Sequence, residues 1–164
     1  MACITHTVIY GDLGCPVDLR HIACNTRDVV YKTEPFDAIT WHHKKIRCSC
    51  MLFRSGKMIC HGNKQQMRKY ARILFKMGYP VALKNVKVVT QSAVYTMKNA
   101  VRYSEMVKLP GATYEPEIYH ALNIKRNRVH FTVYKSGKVV ITGIKTPGIL
   151  EDVVNPTLLE LECI

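Results

Sequence analysis

Residues Phe53–Gly62, FRSGKMICHG, return 81 residues later as Tyr134–Gly143, YKSGKVVITG. Each copy has an aromatic residue, a Ser-Gly-Lys turn and a run with strand propensity, the pattern of a tight hairpin. Upstream, YKTEPF (Tyr31–Phe36) answers YEPEIY (Tyr114–Tyr119). Downstream, Gly62-Asn63-Lys64 answers Gly143-Ile144-Lys145. The marked aromatics are 17 residues apart in one half (Phe36, Phe53) and 15 in the other (Tyr119, Tyr134). A period of about 80 residues in two copies is too long and too few for a solenoid. It describes a duplicated module with pseudo-twofold symmetry, residues 1–83 and 84–164, together one domain.

Each module reads as strands with few helices. THTVIYGD is β-branched and alternating, hence a strand. Pro16–Ala23 opens with proline and carries apolar residues at helical spacing, which predicts a short helix. Strands are expected at Val29–Lys32, Phe36–His43, Ile46–Phe53 and Lys57–His61. A helix follows over Lys64–Met77, with Met67, Tyr70, Ala71, Leu74 and Met77 on one face and Gly78 as its stop. The second half predicts a strand over Lys84–Met97, a helix near Val101–Val107 and strands from Tyr114 to Thr142. A last helix begins near Pro147, and Pro156 is expected to kink or break it. Consecutive hairpins imply an antiparallel sheet with helices on one face. In Val129–Tyr134, alternation sends Val129, Phe131 and Val133 to the core and His130, Thr132 and Tyr134 to the open side.

Charge points to an anionic partner. Twenty-four Lys and Arg against twelve acids give +12 and a pI near 9.5. Four of the acids follow Pro147, where there is no Lys or Arg, so the preceding residues carry twenty-four bases against eight acids, +16. A basic body suits nucleic acid, although the same charge serves solubility alone. The N-terminus lacks the pattern of a secretory signal and no apolar run approaches the ~20 residues of a membrane span, so a soluble intracellular protein is expected. Seven cysteines include no C-x-x-C. Cys48-x-Cys50, Cys60-His61 and His42-His43 come closest to a metal pattern, but structural zinc prefers C-x(2–4)-C. Cys48 and Cys50 on one strand share a face, which suits core packing as well as ligation; reduced buried thiols are the expectation.

These residues resemble the core domain of the TATA-binding protein family over almost the whole chain. The motifs are Leu13-Gly14-Cys15 with Val17-Asp18-Leu19 and Ile22-Ala23, the FRSGKMICHG hairpin, Arg68–Arg72 (RKYAR) running into Lys76–Tyr79, then YEPEIY, YKSGKVVITGIK and Asn155–Leu158. The resemblance implies an α+β saddle: two pseudo-symmetric repeats, a curved antiparallel sheet of about ten strands, and helices on the convex face. It implies a DNA-binding general transcription factor that binds and bends the duplex from the minor groove and recruits initiation factors. Two pairs of aromatic wedges unstack base steps, at a cost offset by the wider contact a bent duplex allows. This family is a standard example of such bending.

Carried over position by position, the wedges are Phe36 and Phe53 in one half and Tyr119 and Tyr134 in the other, where the family has phenylalanine. A phenol pushed between bases must lose water or find a partner. On the groove floor, the family's central asparagines correspond to His6 and Thr90, and its flanking threonines to His61 and Thr142; only Thr142 is retained. Val8, Met51 and Ile59 face the groove in the first half, and Ser92, Thr132 and Val140 in the second. The minor groove offers acceptors at A·T and adds a donor at G·C, and histidine donates or accepts by tautomer, so an altered sequence preference is expected. Phosphates are expected at Lys57, Lys64, Lys138 and Lys145, with Arg54, Lys125 and Arg128 as further candidates; otherwise these form a solvated face. Glu115 and Glu117 match the pair that meets transcription factor IIB. A transcription factor IIA-like partner is left open, because the helix after Lys64 is shorter than the family's. Set against the family's pattern, the sequence reads as close to a minimal core, and a protein without the family's variable N-terminal extension is expected. The implied site of action is the nucleus, or a cytoplasmic viral factory for a viral source, with the protein monomeric on DNA and dimerisation left open in its absence.

Two other classes stay in view. One is a saddle-fold protein-interaction module that no longer bends DNA, and the other is a basic, aromatic RNA platform. An enzyme is not expected. Gly56-Lys57 and Gly137-Lys138 lack a P-loop before them, His42-His43 is not H-E-x-x-H, and no G-x-S-x-G occurs. No cofactor or metal is implied.

Overall fold

The computed structural model describes Met1–Ile164. By contacts the chain divides into a first-half unit, Thr7–Val89, and a second-half unit, Thr90–Ile164 with Met1–His6. The first half contains β1 (Cys3–Asp12), α1 (Leu19–Asn25), β2 (Val29–Lys32), β3 (Ala38–His43), β4 (Cys48–Phe53), β5 (Lys57–His61) and α2 (Lys64–Lys76). Its strands pair antiparallel in the order β2-β3-β4-β5-β1. The second half contains β6 (Lys84–Thr96), α3 (Tyr103–Met106), β7 (Ala112–Thr113), β8 (Leu122–Arg126), β9 (Val129–Val133), β10 (Lys138–Ile144), α4 (Pro147–Ile149), a π-helical turn (Leu150–Val154) and α5 (Asn155–Glu162). Its order, β7-β8-β9-β10-β6, mirrors the first.

In each half the sheet is buried on one side by helices. Ile9, Ile39, Trp41, Cys50, Leu52, Met58 and Cys60 pack with Leu19 and Ile22 of α1 and Met67, Tyr70 and Leu74 of α2. In the other half, Phe131, Val133, Val139, Ile141 and Ile144 pack with Met106 of α3 and Leu158 and Leu161 of α5. Burying such a side chain contributes roughly 1.5–3 kcal/mol. The expected face of α2 is the buried one, although Met77 packs only at its margin. Cys48, Cys50 and Cys60 are buried free thiols within the core. A hydrogen bond with Cys60, together with burial, pushes the Cys48 thiol up and keeps it protonated.

Several boundaries differ from the sequence expectation; β4 begins at Cys48, not Ile46, and α3 is confined to Tyr103–Met106. The first helix begins at Leu19, not Pro16, because the Asp18 carboxylate caps it by accepting from the Arg20 and His21 N–H groups (3.0 and 3.1 Å). The third strand begins at Ala38, leaving Phe36 in the preceding turn. The segment after Tyr114 is not a strand: the Ile118 and Tyr119 N–H groups both donate to the Glu115 carbonyl (3.0 and 2.8 Å), folding it into a turn. Pro156 does not break the last helix. The chain passes through one π turn before it, with the Asn155 N–H reaching back to the Leu150 carbonyl, and continues as α5.

The two SGK turns are built alike. Gly56 N–H donates to Phe53 O and Gly137 N–H to Tyr134 O, both at 2.9 Å, and each glycine carbonyl accepts from an incoming backbone, Leu13 N–H (2.9 Å) or Met97 N–H (2.8 Å). Both glycines are left-handed, φ +89° and +85°. A Cβ on Gly56 lands 2.1 Å from the Cys15 carbonyl oxygen, whereas on Gly137 its nearest neighbour is 3.7 Å away. Gly137→Ala is therefore expected to cost only the left-handed penalty, about 1–2 kcal/mol. Gly56→Ala carries the backbone clash in addition, so thermal denaturation of the two variants should show the larger loss at Gly56.

Candidate nucleic-acid interface

Alternate residues of the first-half strands face away from the helices. Cross-strand register lines them up in two rows, Val8–His61–Ser49–His42 and Tyr10–Ile59–Met51–Thr40. The second row is half-buried throughout, and no helix covers it. Phe36, in the turn before β3, is 65% exposed. Phe53 ends β4 opposite Ala38. An ionic clasp ties these segments together: Arg54 Nε donates to Asp37 Oδ2 and the Tyr31 hydroxyl to Asp37 Oδ1, both at 2.8 Å. The Arg54 guanidinium, with Tyr31 assisting, holds the Asp37 carboxyl below its ordinary range. Arg54, expected at phosphate, thus has an acidic partner 17 residues away.

The second half repeats the arrangement with other chemistry. His6, Thr90 and Ser92 belong to this unit, His6 exposed and the other two half-buried. One row runs Val94–Val140–Thr132–Asn123 and another Thr142–His130–Lys125. Thr132 Oγ1 donates to Asn123 Oδ1 (3.1 Å). The phenols of Tyr119 and Tyr134 meet oxygen to oxygen at 2.8 Å. The His120 ring lies 5.0 Å from the Tyr119 ring and 5.7 Å from the Tyr134 ring. Each of the two hydroxyls thus has a partner within the protein, the other tyrosine.

Lys57, Lys64, Lys138, Lys145, Lys125 and Arg128 are all exposed, and none belongs to the three ion pairs of the protein. Arg128 lies in the β8–β9 turn with a left-handed φ of 69°. Glu115 and Glu117 are exposed in the turn that carries Tyr119. Sequence reasoning missed Tyr10, Thr40 and Asn123, which occupy the uncovered rows. It also missed Lys87, whose Nζ stands 5.6 Å from the centre of the Tyr10 ring. The alternation of β1, carried two residues past Val8, was the available signal for Tyr10.

Comparison with known proteins bears on both halves. Residues 1–80 and 85–163 match the family described as transcription factor TFIID, or TATA-binding protein (TBP). TATA box-binding protein-like 2 of Rattus norvegicus is 33% identical over 153 residues, 87% of this chain and 44% of its own length. TATA-box-binding protein 1 of Triticum aestivum is 33% identical over 144 residues, 82% of this chain and 62% of its own length. The chain thus spans roughly half the length of these relatives. The Methanococcus jannaschii TBP structure superposes with a TM-score of 0.86 over 99% of both chains at 22% identity, which shows a shared fold. The chain belongs to the TATA-binding protein family, and its α+β fold with an antiparallel sheet is that family's fold. The family is one of transcription factors, not of enzymes.

The tyrosine clasp has a titration signature. The hydrogen bond to Tyr134 raises the Tyr119 phenol above its ordinary value. A raised phenol contributes its pairing fully below the unfolded value near ~10 and loses it as pH rises through the higher folded value. Tyr134→Phe is expected to return Tyr119 toward the ordinary range, measured by NMR titration of carbon-labelled tyrosines. An unchanged Tyr119 titration would show that the pair does not form in solution.

Proposed function

We propose that this protein binds double-stranded DNA in the minor groove, bends it, and acts as a general transcription factor-like protein at promoters in the nucleus. The reading rests on one observation above the others: aromatic pairs at matched positions of both repeats, Phe36 with Phe53 and Tyr119 with Tyr134, beside sheet rows that no helix covers. Each repeat, 1–83 and 84–164, supplies one wedge pair and half of the groove-reading residues. The wedges unstack base steps. Val8, Met51, Ile59, Ser92, Thr132, Val140 and Thr142 meet the groove floor. Lys57, Lys64, Lys138, Lys145, Lys125 and Arg128 neutralise phosphates, releasing counterions. Arg54 serves mainly to hold the first wedge loop through Asp37.

His6 and His61 replace groups that read A·T acceptors in the family, and Thr90 replaces an asparagine. These changes support a broader sequence preference than a strict TATA element. Glu115 and Glu117 stand exposed beside the second wedge pair, which supports docking of a transcription factor IIB-like protein there. The protein acts as a monomer on DNA.

Fluorescence anisotropy with a TATA-containing and a G·C-rich duplex over several salt concentrations tests the reading. Phe36→Ala with Phe53→Ala is expected to weaken binding more than tenfold, since stacked aromatics contribute roughly 1–3 kcal/mol each. The slope of log affinity against log salt should not change. Lys57→Ala should lower that slope by about one and leave the preference between duplexes intact. Equal binding to both duplexes with no effect of the phenylalanine changes would reduce the contact to electrostatics. Selection from random duplexes that returned a strict TATA element would refute the broader preference alone.

A further inference from the structure

The helix that follows each SGK hairpin carries opposite charge in the two repeats. In α2, Lys64, Arg68, Lys69, Arg72 and Lys76 are all exposed, and the helix has no acid. From Pro147 to Glu162 the charges are Glu151, Asp152, Glu160 and Glu162, with no Lys or Arg. Glu160 is held by Arg126 (3.1 Å) and Glu162 by the Lys98 and Asn99 N–H groups. Glu151 and Asp152 are exposed and belong to none of the ion pairs. Each helix also presents one large apolar side chain to water, Phe75 at 64% exposure and Leu159 at 67%. A groove lies beside each. That of α2 has a volume of about 250 Å³ and is lined by Arg68, Ala71, Arg72, Phe75, Val81 and Leu83. That of α5 has about 270 Å³, with Met1, Tyr95, Leu158 and Leu159 in its lining.

We propose that these two faces bind each other between copies: α2 of one molecule takes the acidic helix of a second copy of the chain. The faces match in sign and in spacing. Arg68, Arg72 and Phe75 fall at i, i+4 and i+7, one stripe of α2. On the acidic helix, Glu151 and Asp152 lie eight and seven residues before Leu159, two turns away when one of them is the wider π turn. In both faces the charge therefore precedes the apolar anchor by about two turns. Laid parallel, the carboxylates meet the guanidinium groups where Leu159 meets Phe75; laid antiparallel, each anchor would face a charge. A leucine suits a groove walled by Ala71, Val81 and Leu83, and the guanidinium fork receives carboxylates through paired hydrogen bonds. The contact joins unlike faces, so it runs head to tail. Both helices lie on the side of the sheet opposite the uncovered rows, so the contact leaves those rows open.

Sedimentation of the full chain without DNA, over a rising concentration series, measures the association. The expected result is an average mass that climbs from 18.7 kDa toward that of a dimer and beyond. Phe75→Ala and Leu159→Ala should each weaken it by roughly tenfold. Every copy carries +12 and copies repel in general, so exchanging the charges decides more sharply than changing the salt. Arg68→Glu with Arg72→Glu should leave a monomer, and so should Glu151→Lys with Asp152→Lys. An equimolar mixture of the two variants should associate again, because the altered face of each meets its complement on the other. All these side chains are exposed, thermal melts identify any variant that does not fold, and rescue in the mixture is a gain that an unfolded variant cannot give. A mass that stays at the monomer at every concentration would overturn the proposal, and uptake of an acidic helical peptide at α2 by such a monomer would assign that face to a separate partner. Association that survives both charge reversals, or that Phe36→Ala with Phe53→Ala abolishes, would place the contact elsewhere and overturn it as well. None of these outcomes depends on whether the chain binds DNA.

Discussion

The rest of the structure depends on strand register. Each strand gives alternate residues to a helix-covered core, so a slip of one residue would exchange the core set for the uncovered set. In the first half the register is held at both ends of the same strands. At one end, the β4–β5 turn closes through Gly56, whose carbonyl accepts the incoming Leu13 N–H. At the other end, Tyr70 of α2 places its hydroxyl against the carbonyls of Trp41 and Cys48 and accepts the His43 N–H (3.1 Å). One buried phenol therefore fixes β3 against β4 and the helix against both.

The two halves hold their matched aromatic pairs, Phe36 with Phe53 and Tyr119 with Tyr134, by different chemistry. In the first, a carboxylate, a guanidinium and a phenol clasp the loop of Phe36 to the end of β4. In the second, the two tyrosines clasp each other through their own hydroxyls, so each polar group comes with its partner. The C-terminal helix is tied in a similarly local way. Glu162 accepts from the Lys98 N–H (2.8 Å), the Tyr95 hydroxyl (2.7 Å) and the Asn99 N–H (3.2 Å), and the Lys98 hydrogen bond leads in holding its carboxyl below the ordinary range.

What could be read from the sequence was what depends on local pattern. The repeated SGK hairpins announced two modules. The alternation in Val129–Tyr134 placed Phe131 in the core, and the spacing from Met67 to Leu74 identified the buried face of α2. What escaped depends on residues far apart in the chain or on competition between local signals. Asp18 outcompeted Pro16 as the start of α1 because a side-chain cap satisfies backbone donors that a proline merely lacks. Pro156 removed one backbone donor, which a single π turn absorbed. The Asp37–Arg54 clasp and the Tyr119–Tyr134 bond join residues 17 and 15 positions apart at the open ends of the β3–β4 and β8–β9 hairpins, contacts set by the hairpin register and not by the local pattern of either segment. The groove beside Phe75 is assembled from α2 and the segment around Val81 and Leu83, and no motif connects them.

Two copies of one module would answer alike to their surroundings if the same chemistry held both. Here the aromatic loop of one repeat is fastened by opposite charges in water, which dissolved ions weaken, and that of the other by two neutral hydroxyls, which they leave alone. The two fastenings therefore respond differently to ionic strength, and the repeats are distinguishable by chemistry where they match in fold.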